Sequence, residues 1–308
     1  MFNIVFMGTP EFSVPSLNLM IEKFNVKAVV TQPDRPKGRG KKIIMPPIKN
    51  VAVEHNIPVY QPLRIRKDEN LIKELVNIKP DFIVVVAFGQ ILPKEILDIP
   101  KYGCINLHAS LLPKYRGAAP INFALINGET KTGNTTMMMA EGIDTGDMLL
   151  REEVEITENM TYGQLHDILS KNGATLLVKT IKNFNSIEHK KQEDSLSSYA
   201  SMISKEMARI NWEMTAKEIN NLIRGLNPHP IARTEYNNIV MKIYEAKVLE
   251  KNVNNKPGTI LNVSKEGIEV ACLENTLLVT KVQIPGKKPL EVKEFIKGNT
   301  VEVGTLMC

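Results

Sequence analysis

The sequence predicts an α/β protein: an open, mostly parallel sheet with helices on both faces, followed by a small C-terminal β-barrel. Three observations predict it. Short apolar runs alternate with helix-spaced stretches from residue 2 to about 183, as in strands joined by crossover helices. A polar, turn-rich stretch at 189–203 then interrupts the alternation and reads as a linker. Beyond it, short β-rich runs recur with turn residues between them, the spacing of a small barrel. The expected domains are therefore 1–188 and 204–308.

In order along the chain, residues 2–7 read as a buried strand, with Gly8-Thr9-Pro10 as its turn. A helix follows to about residue 24, and Pro15 falls early enough to sit in its first turn. Residues 26–31 form the second strand, 46–56 a helix, 58–60 a short strand and 69–78 a helix. Residues 82–88 are the most apolar strand, so they belong at the sheet centre with both faces covered. Residues 102–107 form the next strand, and 119–127 are helical. Residues 135–139 and 148–156 make a strand pair joined by 140–147, and 161–183 a long helix capped by Thr161. This order suits a Rossmann-like sheet. The second domain opens with a helix at 216–226, followed by strands at 232–236, 240–249, 258–263, 268–272 and 276–282.

Composition excludes several classes. With 308 residues, the chain is long enough for two cores, and its 43% hydrophobic and 24% charged residues are ordinary for a globular protein. The net charge of +5 is a mild excess, so where the charge sits matters more than its sum. Cys104, Cys272 and Cys308 form no C-x-x-C, so neither a metal site nor a disulfide framework is expected. Residues 1–7 lack the flank and length of a signal peptide, and no apolar run approaches a membrane span, so a cytoplasmic protein is expected.

The chemistry concentrates at Asn106-x-His108. Strand side chains alternate, so both project from one face at the end of a strand. An amide N–H there can donate to a developing oxyanion, and an imidazole can exchange a proton near neutral pH. A carboxylate beside the ring would orient it, and Asp144, in Glu141-Gly142-Ile143-Asp144-Thr145-Gly146-Asp147, is the candidate; the same stretch also reads as a plain acidic turn. Gly8-Thr9-Pro10 lacks G-x-G-x-x-G, so no dinucleotide site is expected. A second stretch, residues 32–42, carries Arg35, Lys37, Arg39, Lys41 and Lys42 among glycines and prolines. That composition argues against regular structure; the loop is either solvated surface or a clamp on phosphates.

These residues carry a resemblance. Phe6-Met7-Gly8-Thr9-Pro10-Glu11-Phe12, Thr31-Gln32-Pro33-Asp34-Arg35-Pro36 and Gly38 to Lys42, and Gly103-Cys104-Ile105-Asn106-Leu107-His108-Ala109-Ser110-Leu111-Leu112-Pro113 are similar to the methionyl-tRNA formyltransferases, within the folate-dependent formyltransferase family. So are Arg116-Gly117-Ala118-Ala119-Pro120-Ile121, Gly142 to Met148, Ile203-Ser204-Lys205-Glu206, Ala208-Arg209-Ile210, Arg224-Gly225-Leu226-Asn227-Pro228 and Pro257-Gly258-Thr259-Ile260. Ala109 departs from the family's usual glycine, and residues 298–308 resemble it least and receive no role.

The resemblance implies a formyltransferase-type sheet and an OB-like barrel. It implies that the formyl group of 10-formyltetrahydrofolate passes to the α-amine of methionyl initiator tRNA for translation initiation, without metal. Asn106, His108 and Asp144 would then be catalytic: oxyanion donor, proton-exchanging imidazole, and the carboxylate that holds the ring and an ordered water and takes the amine's proton. Ser110, Leu111, Leu112 and Pro113 would contact the folate, with backbone near Phe88-Gly89 and 142–144 as a further cradle. Arg35, Lys37, Arg39, Lys41 and Lys42 would hold tRNA, with Lys242, Lys247, Lys281, Lys287 and Lys288 as candidates on the barrel. A monomer is expected. Two alternatives stay open: a related formyltransferase acting on a small amine, such as glycinamide ribonucleotide or an amino-sugar nucleotide, and a non-enzymatic RNA-binding protein.

Overall fold

The computed structural model describes residues 1–37 and 42–308. By their contacts they form two units. The first comprises Met1–Pro120, Thr132–Glu155 and His166–Ala200, and the second Ile121–Lys131, Ile156–Leu165 and Ser201–Cys308. Two segments expected in the first domain thus belong to the second unit. Ile156 N donates to Thr130 O (2.8 Å), and the buried Arg224 guanidinium reaches the carbonyls of Leu125 and Met160 (3.4 Å each). Residues 189–200, read as linker from their polarity, lie in the first unit.

In chain order the elements up to residue 200 are β1 Asn3–Gly8, α1 Val14–Lys23, β2 Asn25–Val30, β3 Arg35–Lys37, β4 Lys42–Ile44, α2 Pro47–Glu54, β5 Val59–Tyr60, α3 Glu69–Ile78, β6 Phe82–Val86, α4 Lys94–Leu97, β7 Cys104–His108, β8 Arg116–Gly117, α5 Pro120–Ile126, β9 Lys131–Met138, β10 Met148–Glu155, α6 Tyr162–Lys182 and β11 Tyr199–Ala200. Seven strands form one sheet in the order β10-β9-β7-β6-β1-β2-β5. Pairing is parallel from β7 to β5, and β9 runs antiparallel to β7.

Strand alternation divides the core. Val5, Met7, Ala28, Val30, Ile83 and Val85 face one side, where they pack with Leu71, Leu75, Phe88 and Ile96. On β6, Phe82 stacks on Tyr102 (ring centroids 5.1 Å apart) and meets Phe2 and Phe184 edge-on. All five β6 residues are buried, as its unbroken apolar run requires of a central strand. Asp68 caps α3 by accepting from Leu71 N (3.0 Å), and Thr161 with Gln164 caps α6.

The basic run corrects the expectation of no regular structure. Arg35–Lys37 pairs antiparallel with Lys42–Ile44 as a two-stranded ribbon. Both strands of such a ribbon are edges, so Pro36, which has no N–H to donate, is tolerated opposite Ile43. Strand β9 also begins earlier than expected. Its polar start at Thr132 and Asn134 is buried, and Asn134 Nδ2 donates to Leu169 O (2.9 Å).

The second unit holds α7 Ala216–Gly225, β12 Ala232–Tyr236, β13 Ile239–Leu249, β14 Ile260–Val263, β15 Ile268–Ala271, β16 Thr276–Gln283, β17 Leu290–Glu291 and α8 Val292–Phe295. Five strands run β12-β13-β16-β15-β14, and β17 pairs with β16. The C-terminal tail closes this sheet into a barrel. Cys308 exchanges both backbone hydrogen bonds with Glu235 on β12 (2.7 and 2.9 Å). On its other side Met307 N donates to Gly258 O (2.8 Å), and Ile260 N on β14 donates to Thr305 O (2.9 Å). Trp212 and Met307 join the apolar interior, and a capping box of Thr215 and Glu218 starts α7. Among the described residues no helix is long and apolar enough to cross a membrane.

Candidate active site

The chain places β2 and β5 on one side of β1, then returns to place β6 and β7 on the other. Such a reversal, beyond the carboxyl ends of β1 and β6, is where open α/β sheets bind ligands. The loops there are tied together. Thr9 Oγ1 and Gln32 Nε2 both donate to Phe88 O (3.0 and 3.2 Å). The turn after β6 uses left-handed backbone at Ala87 (φ +49°) and Gly89 (φ +83°).

Strand β7 ends at this side and presents Asn106 and His108 on one face, paired in register with Met137 and Thr135 of β9. Asp144 arrives from the loop between β9 and β10. That loop needs its glycines: a Cβ on Gly146 would lie 1.8 Å from Met138 O, and one on Gly142 2.4 Å from Thr145 Oγ1. The three side chains converge. Asn106 Nδ2 donates to Asp144 Oδ1 (3.3 Å), and His108 Nδ1 lies 3.5 Å from Asp144 Oδ2. Gly117 N donates to the same Oδ2 (2.9 Å). His108 is 5% exposed, and its Nε2 lies 2.8 Å from Tyr115 O. A carbonyl only accepts, so Nε2 carries a hydrogen and donates it. Nδ1, facing the carboxylate, is then the ring nitrogen that gains or loses a proton.

The expected folate-contacting segment is divided. Ser110 is fully buried, with Oγ donating to Lys114 O (2.6 Å). Leu112 packs with Met137 and Met148, and its N–H donates to Thr135 Oγ1 (3.1 Å). Leu111 and Pro113 keep partly exposed side chains.

At the basic ribbon, Arg35 is exposed. The side chains of Lys37 and Lys42, and all of Arg39 and Lys41, lie outside the described residues. The foot of the ribbon is anchored: Lys49 Nζ donates to Asp34 Oδ2 (2.7 Å) and Gln61 Oε1 (2.8 Å), and Gln61 Nε2 donates to Asp34 Oδ1 (2.8 Å). These bonds hold the Asp34 carboxyl below its ordinary range. On the barrel, Lys281 is paired with Glu245 (2.9 Å) and Glu291 (3.7 Å), which cancels its charge locally. Lys247, Lys287 and Lys288 are exposed and Lys242 half-buried.

Sequence reasoning missed the groups that hold this site: the Tyr115 carbonyl, the Gly117 N–H, Lys49 with Gln61, and Gln192. None carries a spacing signal, because each acts across the fold through one to three hydrogen bonds.

Two family models match the chain. The Formyl transferase family model matches residues 3–181, and the model of the formyl transferase C-terminal domain matches 202–300. A methionyl-tRNA formyltransferase of Clostridium novyi is 61% identical over 306 residues, covering 99% of each chain. Among solved structures, WlaRD, a sugar 3N-formyl transferase crystallised in the presence of dTDP and 5-N-formyl-THF, superposes with a TM-score of 0.67 at 22% identity, over 94% of this chain and 99% of that one. HypX from Aquifex aeolicus, in complex with tetrahydrofolic acid, gives 0.61 at 17% identity, over 99% of this chain and 50% of that one. At such identities these two likenesses concern the fold.

Proposed function

We propose that this chain, which belongs to the methionyl-tRNA formyltransferase family, moves the formyl group of 10-formyltetrahydrofolate onto the α-amine of methionyl initiator tRNA through Asn106, His108 and Asp144. The carrying observation is the convergence of these three side chains at the carboxyl end of β7, with Asp144 3.3 Å from Asn106 and 3.5 Å from His108. The donor set suits a formyl carbonyl: one amide N–H, one imidazole and one carboxylate.

When bound, the folate donor supplies an electrophilic carbon on N10: the amine nitrogen bonds to it, and the bond to N10 breaks. Asn106 Nδ2 donates to the oxygen that gains charge as that bond forms. His108, with Nε2 engaged by Tyr115 O, uses Nδ1 to hold or yield a proton in the same space. Asp144 orients the ring and accepts the proton that the attacking amine loses, while a proton returned to N10 completes the exchange. Leu111 and Pro113 offer apolar surface to the folate, as does the backbone turn at Gly89. The basic run Arg35 to Lys42 follows the phosphates of the acceptor stem, and residues 204–308 add backbone contacts. One chain contributes every residue of the trio, so a monomer suffices, working in the cytoplasm where charged tRNA is found.

A formylation panel tests the reading. Purified protein and formyl donor are given methionyl initiator tRNA, glycinamide ribonucleotide or an amino-sugar nucleotide. Acylation of the charged tRNA alone is expected, and acylation of a small amine instead would overturn it.

A further inference from the structure

Asp144 occupies left-handed backbone (φ +53°), which aspartate adopts more readily than most residues, at a modest cost that hydrogen bonds to the loop can offset. Gln192 supplies such bonds from a distant stretch of chain. Its Nε2 donates one hydrogen to Asp144 O and the other to Gly146 O, both at 2.8 Å. Its Oε1 accepts from Arg116 Nε (3.0 Å). A guanidinium Nε–H can only donate, so the orientation of the amide follows from chemistry. Arg116 is 2% exposed, and its Nη2 donates to Asp194 Oδ1 (2.8 Å). The residues on either side of Arg116 are those whose backbone touches the trio: Tyr115 O takes the hydrogen of His108 Nε2, and Gly117 N holds Asp144 Oδ2.

We propose that Gln192, oriented by the buried Arg116 guanidinium, is a positioning residue for formyl transfer, clamping the Asp144 loop so that its carboxylate stays against His108 and Asn106. This rests on the reading of Asp144 given above. Gln192 touches no substrate; it acts through Asp144. Both hydrogens of one side-chain amide are spent on two carbonyls of one tight loop, and an Å-scale displacement of a catalytic group is enough to cost about 100-fold in rate.

The test compares wild type, Gln192→Ala, Gln192→Glu, Asp144→Ala and the double variant Gln192→Ala with Asp144→Ala, reading kcat, both KM values and thermal midpoint. Gln192→Ala is expected to lower kcat roughly 10- to 100-fold, with both KM values within about twofold. Gln192→Glu keeps the shape and strengthens the link to Arg116, but turns acceptors toward two carbonyls. It should therefore fall at least as far as Gln192→Ala, an outcome that a filler role would not give, and being isosteric it keeps the test open should Gln192→Ala fail to fold. Once Asp144 is alanine, removing Gln192 should change kcat by less than about twofold. A full additional loss in that background, or a fully active Gln192→Glu, overturns the clamp. If Asp144→Ala retains normal kcat, the site reading itself fails and the clamp falls with it; if Asp144→Ala is crippled while Gln192→Ala is not, only the clamp fails.

Discussion

Replacing Asn106 with alanine removes the amide donor aimed at the developing oxyanion. In the resting site that amide bonds Asp144 Oδ1 at 3.3 Å, longer than the usual ~2.9–3.0 Å for such a bond. The half-exposed side chain therefore contributes at most about 1 kcal/mol to stability. In a protein of this size that corresponds to roughly 2–4 °C in Tm. The second N–H of that amide, facing the charge that appears only during bond formation, is worth ~2.7–4 kcal/mol of barrier, or about 10²–10³ in kcat. The two figures separate the roles. Initial rates are measured with the formyl donor and the charged tRNA varied in turn, alongside a thermal melt. Asn106→Ala should lose ~10²–10³ in kcat, with KM for the donor within about twofold and Tm nearly kept. A kcat within about threefold of wild type would refute the reasoning, as would a loss appearing wholly in KM.

Four further outcomes are expected. Deleting residues 305–308 removes the backbone bonds joining β12 to β14 and the burial of Met307, at ~0.5–1.5 kcal/mol per bond and about 1.5–3 kcal/mol for the side chain; calorimetry should show the barrel melting earlier. Lys49→Met frees Asp34 and loosens the foot of the basic ribbon, so KM for charged tRNA should rise while KM for the folate donor stays constant. Because Asp34's folded pKa is depressed, its anchoring is present above the unfolded carboxylate value and lost as pH falls through the folded one, so the ribbon should loosen only in strong acid, as hydrogen exchange at 35–44 would report. Burial pushes the thiols of Cys104 and Cys272 up to about 12, whereas Cys308 is exposed. A thiol reagent at pH 8 should label Cys308 alone until the protein unfolds; rapid labelling of all three would contradict the core described.

Much of the fold is legible where burial alone decides it. The apolar run of β6 marks the sheet centre, and the period-two spacing of Asn106 and His108 puts both on one face of β7. Legibility ends where a partner makes the structure. The ribbon of β3 and β4 lacks apolar alternation and exists through pairing, so Pro36 among basic residues reads as loop. The tail at 304–308 makes its backbone bonds only because β12 and β14 leave open edges for it. Gln192 looks like one polar residue in a polar stretch until Arg116 and the Asp144 loop are brought to it. The direction of the Ser110 hydroxyl is equally illegible: in a conspicuous motif, it turns inward to Lys114 O.

The central claim is that Asn106, His108 and Asp144 act together on one migrating formyl group, and kcat of the Asn106→Ala, Asp144→Ala double variant against each single variant tests it most directly. Groups acting as a unit are strongly non-additive, so the double variant should be within about fivefold of the slower single variant. Losses that multiply fully would mean independent residues and would contradict the account.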